Sequence, residues 1–338
     1  MVLQSQIAQL QSGADLSPEQ AMVTFEQIIS GTLSDDEIAA FLLALKQKGE
    51  SLTEITAAAQ ALRSAMTPFD SPVDAMDVCG TGGDNSGSYN ISTTVAIVVA
   101  ACGVPVAKHG NRSVSSQSGS SDILSALGVR IDAPIAVLQR CLEEARICYL
   151  AAPQFHPAMR HVAAARKQLA TRTIFNLLGP LCNPASVSRQ VMGVYDGALV
   201  EPLAKVLHTL GSEAVWVVHG EDGMDELSIS GPSQVAALAD GAISTLRVTP
   251  ADAGLSGYPP EALHGGDAIA NAAALRAVLS GDEGAYRDAV LLNAAAALIV
   301  AERADSLSIG AMLAAEAIDS GRASRTLDAW ATLSQSDA

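Results

Sequence analysis

The chain has few aromatic side chains and few positive charges. Only 4% of its 338 residues are Phe, Trp or Tyr, although 49% are hydrophobic. The core must therefore be aliphatic and rich in alanine, which favours close-packed helices and buried strands. Lys and Arg number 20 against 36 Asp and Glu, which gives a net charge of −16. Because Lys and Arg supply most of the affinity for nucleic acid, this balance argues against a nucleic-acid partner.

The sequence has no zinc-site spacing and no membrane-spanning pattern, and we expect that its first residues are not a leader. Its five cysteines are scattered, which is typical of small buried side chains in a reducing compartment. The N-terminus has neither a basic leader nor a continuous apolar stretch, so we expect a cytoplasmic protein. The longest uncharged run, residues 85–107, contains Asn, Ser, Thr, Gly and Pro and therefore predicts loop, helix and strand, with no membrane partner.

Helix-start signals dominate the first 66 residues. Three serines are each followed three residues later by Gln or Glu, as in a capping box: Ser17, Ser34 and Ser51. An apolar face with helical periodicity follows each of them. We therefore predict a small helical domain over residues 1–70 and a second domain over residues 71–338.

After a bridge rich in proline, short apolar runs alternate with helical patterns. This alternation predicts an α/β domain with a central, mainly parallel sheet. The predicted strands are 76–78, 104–108, 147–152, 214–219 and 242–248. The predicted helices are 92–102, 122–127, 157–169, 268–279, 285–303 and 309–320.

A glycine-rich loop, "CGTGGDNSGSYNIST", follows the first predicted strand. Its glycines allow positive φ and close approach of backbone amides to oxygens, and the helix that follows favours an anion at its N-terminus. The spacing matches neither a dinucleotide fingerprint nor a nucleoside-triphosphate loop. A phosphate site and a purely structural turn both remain open, and Asp84 places a carboxylate where an anion would bind.

Two further loops concentrate charged residues of one sign. "KHGNRSVSSQSGSSD" gathers Lys108, Arg112 and several serines, which suits a phosphate ester, with a flexible linker as the alternative. "HGEDGMDELS" contains Asp225 and Glu226, which converge on one ligand only if the backbone is irregular. They are candidate divalent-metal ligands, with a solvated acidic turn as the alternative.

One helix carries a possible acceptor site. His156 precedes the predicted helix 157–169, and Arg166 lies ten residues further on. Both side chains could therefore edge one pocket, where an arginine suits a carboxylate. A surface ion pair is the alternative role for Arg166.

Taken together, "GTGGD…YNIST", "KHGNRSVSS…SGS", "HPAMRHV", "RTIFNLLGPLCNP" and "HGEDGMDE" resemble the anthranilate phosphoribosyltransferase family almost from end to end. The resemblance implies a small helical domain and a larger α/β domain with nucleoside phosphorylase-like architecture. It also implies a homodimer formed through the helical domain, joined by helices near residues 157–185. The expected reaction is the second step of tryptophan biosynthesis from chorismate, with 5-phosphoribosyl 1-diphosphate and anthranilate as substrates and Mg²⁺ as cofactor.

The resemblance also implies roles for individual residues. The phosphoribosyl donor would contact Gly80, Gly83, Asp84, Ser88, Asn90, Ile91, Ser92, Thr93, Lys108, His109, Gly110, Asn111, Arg112, Ser113, Val114, Ser115, Ser116 and Ser120. Anthranilate would contact Gly80, Asn111, Arg166, His109 and His156. Magnesium would bind Ser92, Asp225 and Glu226, and the catalytic set would be Lys108, Asp225 and Glu226. The chain departs from the family pattern at Ser88, where Thr is common, at Gln117, where Lys is frequent, and at Ala170, where Gly is usual.

The sequence offers no nucleophile paired with a base, so we expect catalysis by positioning and electrostatics. Two alternatives remain open. One is a pyrimidine nucleoside phosphorylase-like enzyme, and the other is a non-catalytic relative that binds nucleic acid.

Overall fold

The N-terminal part of the chain is a helical bundle. The computed structural model describes residues 2–84, 86–111 and 118–337. The bundle helices are α1 (Val2–Gln11), α2 (Pro18–Ser30), α3 (Asp35–Lys48) and α4 (Leu52–Ser64). Helices α2, α3 and α4 each begin at a predicted capping box, with both of its reciprocal hydrogen bonds formed. The three predicted helix starts are therefore confirmed. They could be predicted because a capping box depends only on residues close together in sequence.

Strands and helices alternate in the rest of the chain. The strands are β1 (Met76–Gly80), β2 (Val106–Gly110), β3 (Ile147–Ala151), β4 (Arg189–Gly193), β5 (Ala214–Gly220), β6 (Ser233–Ala239) and β7 (Ala242–Val248). The helices are α5 (Ile91–Ala101), α6 (Ser120–Ala126), α7 (Ile135–Ala145), α8 (Ala152–Phe155), α9 (Arg160–Leu169), α10 (Phe175–Leu181), α11 (Val200–Thr209), α12 (Ala268–Leu279), α13 (Ala285–Val300), α14 (Leu307–Asp319) and α15 (Arg322–Ser334).

The seven strands form one sheet in the order β3-β2-β1-β4-β5-β6-β7. Pairing from β3 through β5 is parallel, whereas β6 and β7 are antiparallel additions at one edge. The predicted mainly parallel sheet is therefore confirmed. The strand order reverses between β1 and β4, and ligands of open α/β sheets bind at the carboxyl ends of strands beside such a reversal.

Two cores cover the two faces of the sheet. Along β5, Val215 and Val217 face a core that contains helices α1–α4 and α9–α11, whereas Trp216 and Val218 face a core that contains α5–α7 and α12–α15. This alternation follows from the two-residue period of a strand. The N-terminal bundle thus shares its core with one face of the sheet.

Several predicted boundaries were wrong. The predicted helix 157–169 begins as a 3₁₀ turn, Pro157–Met159, and α9 starts only at Arg160. Strands β4 and β6 and helices α7, α10, α11 and α15 were not predicted at all. Strand β6 is rich in alanine, which has low strand propensity, so its pairing with β5 and β7 stabilises it as a strand.

Candidate active site

The first two predicted loops meet at the carboxyl edge of the sheet. The Asn90 amide, before α5, donates to the carbonyl of Ser118, before α6, at 3.2 Å. The Thr93 hydroxyl donates to the Ser120 hydroxyl at 3.2 Å. The N-termini of α5 and α6 therefore border the same space, as an anion site requires.

Asp225 and Glu226 reach this space from the third loop. Both residues lie on irregular backbone after β5, as expected. The amide of Gly82 donates to Asp225 Oδ2 at 2.7 Å, and the amide of Ser92 donates to Glu226 Oε1 at 3.1 Å. The acidic pair is thus fixed against the glycine-rich loop and the first turn of α5.

Two paired glycines make room for the acidic segment. Gly80 and Gly193 are register partners on β1 and β4. A Cβ atom on Gly80 would lie 3.0 Å from Asp225 Cγ, and one on Gly193 would overlap the Asp225 carbonyl oxygen. The side chain of Asp225 can lie against Gly80, and its backbone against Gly193, only because neither glycine has a Cβ. Gly193 was missed because nothing near it in sequence signals this approach.

A buried lysine lies near the acidic pair. Lys108, on β2, is 1% exposed, and its ammonium donates to the Val78 carbonyl at 2.6 Å and to the Ser92 hydroxyl at 3.3 Å. None of the ion pairs within residues 2–84, 86–111 and 118–337 includes it. Its charge therefore remains available to a ligand or to the acidic side chains nearby.

The acidic side chains are electrostatically crowded. Burial, followed by the Asp84 carboxylate, raises the pKa of Asp225. Burial, followed by the Asp225 carboxylate, raises the pKa of Glu226, while Lys108 acts in the opposite direction. Asp84 therefore lies close to the acidic pair, and a bound cation would relieve this concentration of negative charge.

The donor chemistry of the cluster fits magnesium. Carboxylate and hydroxyl oxygens from Asp225, Glu226 and Ser92 are hard ligands of the kind Mg²⁺ prefers. In the described part of the chain, no group of three or more His, Cys, Asp or Glu side chains is placed to hold an ion by itself. The arrangement therefore matches the common magnesium site in which one or two carboxylates act together with substrate phosphates and water.

Two buried histidines lie side by side, His109 near the end of β2 and His156 just after α8. The rings of His109 and His156 are 5.0 Å apart, and both residues are buried. His109 Nδ1 is 3.0 Å from the Gly179 carbonyl, to which its N–H donates, which leaves Nε2 buried as an acceptor with no partner among the described residues. Burial lowers the pKa of His109 to about 3 and that of His156 to about 4. Both imidazoles are therefore neutral at neutral pH.

Arg166 carries a charge that no ion pair among the described residues balances. It lies half-buried on α9, with its guanidinium carbon 6.0 Å from the ring centroid of Phe175, and burial lowers its pKa. His156 lies before the 3₁₀ turn and outside α9, so it does not share one regular helix with Arg166.

The remaining predicted residues line the loop edges. Gly83 has a φ of 77°, Ser88 forms an isolated bridge with His264, and Ile91 is buried at the start of α5. Gly110 ends β2 beside Tyr149, and the exposed Asn111 follows it. Five predicted donor contacts lie outside the described residues: Arg112, Ser113, Val114, Ser115 and Ser116. Gln117, one of the departures from the family pattern, also lies outside them.

Sequence reasoning missed a buried amide that joins the loops. Asn271, on α12, donates to Asn90 Oδ1 at 3.1 Å and to the Ser118 hydroxyl at 2.9 Å, and accepts from the Gly266 amide at 2.7 Å. The available signal was one amide within a helix, "AIANAAALRAVL", whose other residues are apolar except Arg276.

Comparison with known proteins places this geometry in a family. A "Glycosyl transferase family, helical bundle domain" matches residues 4–66, and a "Glycosyl transferase family, a/b domain" matches residues 72–324. The anthranilate phosphoribosyltransferase of Rhodopseudomonas palustris (strain BisB18) is 54% identical over 321 residues, which cover 95% of each chain. The chain belongs to the anthranilate phosphoribosyltransferase family.

Two solved structures of the anthranilate phosphoribosyltransferase family have the same fold. The enzyme from Thermus thermophilus superposes with a TM-score of 0.92 at 40% identity, covering 98% of this chain and 99% of that one. The Saccharomyces cerevisiae enzyme, in complex with PRPP and Mg, has a TM-score of 0.90 at 28% identity, covering 98% of this chain and 97% of that one. The predicted fold, a helical bundle and an α/β domain, is therefore confirmed.

Proposed function

We propose that this protein transfers the 5-phosphoribosyl group of 5-phosphoribosyl 1-diphosphate to the amine of anthranilate. The products are N-(5-phosphoribosyl)anthranilate and pyrophosphate, and the reaction is the second step of tryptophan biosynthesis from chorismate. One observation carries this proposal: a glycine-rich loop, a buried ammonium and an acidic pair meet at the carboxyl edge of the sheet. The contacts that join them are Gly82 with Asp225, Ser92 with Glu226, and Lys108 with Ser92.

The donor would lie over the N-termini of α5 and α6. There the backbone amides around Gly80 and Gly83 and the helix dipoles favour the diphosphate. Lys108 contributes positive charge close to Ser92, so it can stabilise negative charge that develops on the leaving pyrophosphate. The other proposed donor contacts are Asp84, Ser88, Asn90, Ile91, Ser92, Thr93, His109, Gly110, Asn111, Arg112, Ser113, Val114, Ser115, Ser116 and Ser120.

Magnesium would be held by Ser92, Asp225 and Glu226 together with the donor phosphates. When bound, Mg²⁺ neutralises charge on the diphosphate and so makes it a better leaving group. The raised pKa values of both carboxyl groups support this role, because buried acids packed together gain most from a cation.

Anthranilate would lie near Arg166, with its carboxylate paired to a guanidinium that forms no ion pair within the described structure. Gly80, Asn111, His109 and His156 would border the ring and the amine. An aromatic amine already carries its lone pair, so no strong base is needed to start the attack. The neutral imidazoles suit this step because they cannot protonate the amine and can accept a hydrogen bond from it.

We further propose a cytoplasmic homodimer formed through residues 1–70, joined by helices near residues 157–185. The support for this interface is the family to which the chain belongs. The bundle also exposes apolar side chains, among them Val23 at 43% and Leu43 at 40%. None of the described helices is long and apolar enough to cross a membrane.

Anthranilate fluorescence tests the reaction directly. The signal should fall on addition of 5-phosphoribosyl 1-diphosphate with magnesium, and should persist when magnesium is chelated. Release of free base from thymidine or uridine with phosphate, and no loss of anthranilate, would instead indicate a nucleoside phosphorylase.

Replacement of both Asp225 and Glu226 by Ala should lower kcat far more than it changes the KM for anthranilate, because the acids act on the leaving group. The matched control is the exposed adjacent pair Glu143→Ala and Glu144→Ala on α7, which should leave both constants unchanged. An unaltered kcat at saturating magnesium would exclude the proposed role.

Arg166→Ala should mainly raise the KM for anthranilate, because it removes the cation proposed to pair with the carboxylate. A lost charged hydrogen bond of about 1.5–3 kcal/mol corresponds to an increase of roughly 10- to 100-fold. Lys167→Ala, which removes an exposed cation from the same helix, serves as the control. An unchanged KM would remove Arg166 from the acceptor site.

A further inference from the structure

Arg172 joins the helical bundle to the glycine-rich loop. Its guanidinium donates to the carbonyl of Gly83 and lies over the ring of Tyr195, with 4.0 Å between the guanidinium carbon and the ring centroid. The residue follows α9, which packs against α2 and α3. The ammonium of Lys46, on α3, donates to the hydroxyl of the neighbouring Thr171.

Both partners of the guanidinium lie in segments that directly follow strands of the sheet. Gly83 lies in the loop after β1, and Tyr195 follows β4. The loop is also tied to β4, because the Thr81 amide donates to the Gly193 carbonyl at 2.9 Å and the Tyr195 amide donates to the Thr81 hydroxyl at 3.3 Å. Arg172 therefore fixes a loop whose base is already anchored.

The hydrogen bond to Gly83 fixes the orientation of one peptide group. The peptide between Gly83 and Asp84 is trans, so its carbonyl and its amide N–H point in opposite directions. Because the carbonyl points towards Arg172, the Asp84 amide points away from it. A Cβ on Gly83 would lie 3.0 Å from the Arg172 guanidinium, and the φ of 77° disfavours any other residue there.

We propose that Arg172 is a positioning residue for the phosphoribosyl donor. By holding the Gly83 carbonyl and stacking on Tyr195, it fixes the loop around Gly83 and Asp84 in the conformation that receives the diphosphate. This proposal rests on the proposed function. Affinity for the donor would then depend on Arg172, which follows α9 and does not contact the reacting atoms.

The test compares Arg172→Ala, Arg172→Lys and Tyr195→Ala with the wild-type protein in the fluorescence assay. Loss of a hydrogen bond from a charged donor should raise the KM for the donor by about tenfold in Arg172→Ala, with the KM for anthranilate within about twofold of wild type. Arg172→Lys should be similarly impaired, because an ammonium lacks the planar surface that stacks on the ring. The control is Arg303→Ala, an exposed arginine outside the elements of the site.

Tyr195→Ala supplies an independent readout if Arg172→Ala does not fold. It should raise the donor KM, and the combined variant should be no worse than Arg172→Ala, because both changes release the same guanidinium. Millimolar guanidinium should partly restore donor affinity in Arg172→Ala. An unchanged donor KM in Arg172→Ala and Tyr195→Ala, or a wild-type donor KM in Arg172→Lys, would overturn the proposal. Absence of activity in the wild-type protein would instead refute the proposed function.

Discussion

Gly193→Ala is the sharpest test of how the acidic pair is placed. A Cβ at this position would overlap the Asp225 carbonyl oxygen, at a separation close to that of a covalent bond. Since nonbonded heavy atoms settle at about 3.5 Å, the segment that carries Asp225 and Glu226 would have to move by roughly 2 Å. Overpacking of this kind costs about 1–3 kcal/mol of stability. Because a misplacement of about 1 Å can cost 100-fold in rate, we expect kcat to fall by at least about 100-fold.

The fluorescence assay, run beside thermal unfolding, separates misplacement from loss of fold. Gly231→Ala is the matched control, because nothing lies within 4 Å of its added Cβ and its φ is not positive. That control should retain activity and gain or keep stability, since it reduces the freedom of the unfolded chain. If the kcat of Gly193→Ala stayed within about threefold of the control, the close approach of Asp225 to β4 would not govern catalysis.

Two further predictions concern stability. Ala170 follows α9 at a φ of 47°, so Ala170→Gly should raise the free energy of unfolding in urea by up to about 1 kcal/mol. Ala164→Gly on the same helix should lower it by about as much. A loss of stability in Ala170→Gly would contradict the argument that the alanine is strained at this φ. The low pKa of His156 in the fold, about 4, lies below its unfolded value near 6.5, so the stability that His156 contributes is present above pH 6.5 and is lost as pH falls towards 4. The loss from His156 alone should reach about 2 kcal/mol at pH 5. His156→Asn, but not His208→Asn at an exposed position, should remove this part of the pH dependence in thermal unfolding.

Local chemistry explains what the sequence could predict. The capping boxes at Ser17, Ser34 and Ser51 define helix starts through hydrogen bonds that span only three residues. The alternation of apolar strands and helices predicted the mainly parallel sheet, and the glycine-rich loop was recognisable from its composition. Adjacent acids at Asp225 and Glu226 likewise required irregular backbone, which the structure has.

Contacts between distant residues explain what the sequence could not predict. Asn271 joins the first two loops from 181 residues beyond Asn90 and 153 beyond Ser118, and nothing in its helix indicates its partners. Strand β6 is stabilised by its neighbours rather than by its own residues. Gly193 is required because the carbonyl of Asp225 lies against it.

The sequence by itself determined the acidic, aliphatic character of the chain, the helical start, the α/β pattern and the residue types of each loop, because these depend on composition and on near neighbours. Only the tertiary structure decided which loops share one edge of the sheet and how the guanidinium of Arg172 comes to lie between Gly83 and Tyr195. The reason is physical: loop backbone has many allowed conformations, and packing against the helical bundle and the strand ends selects one of them.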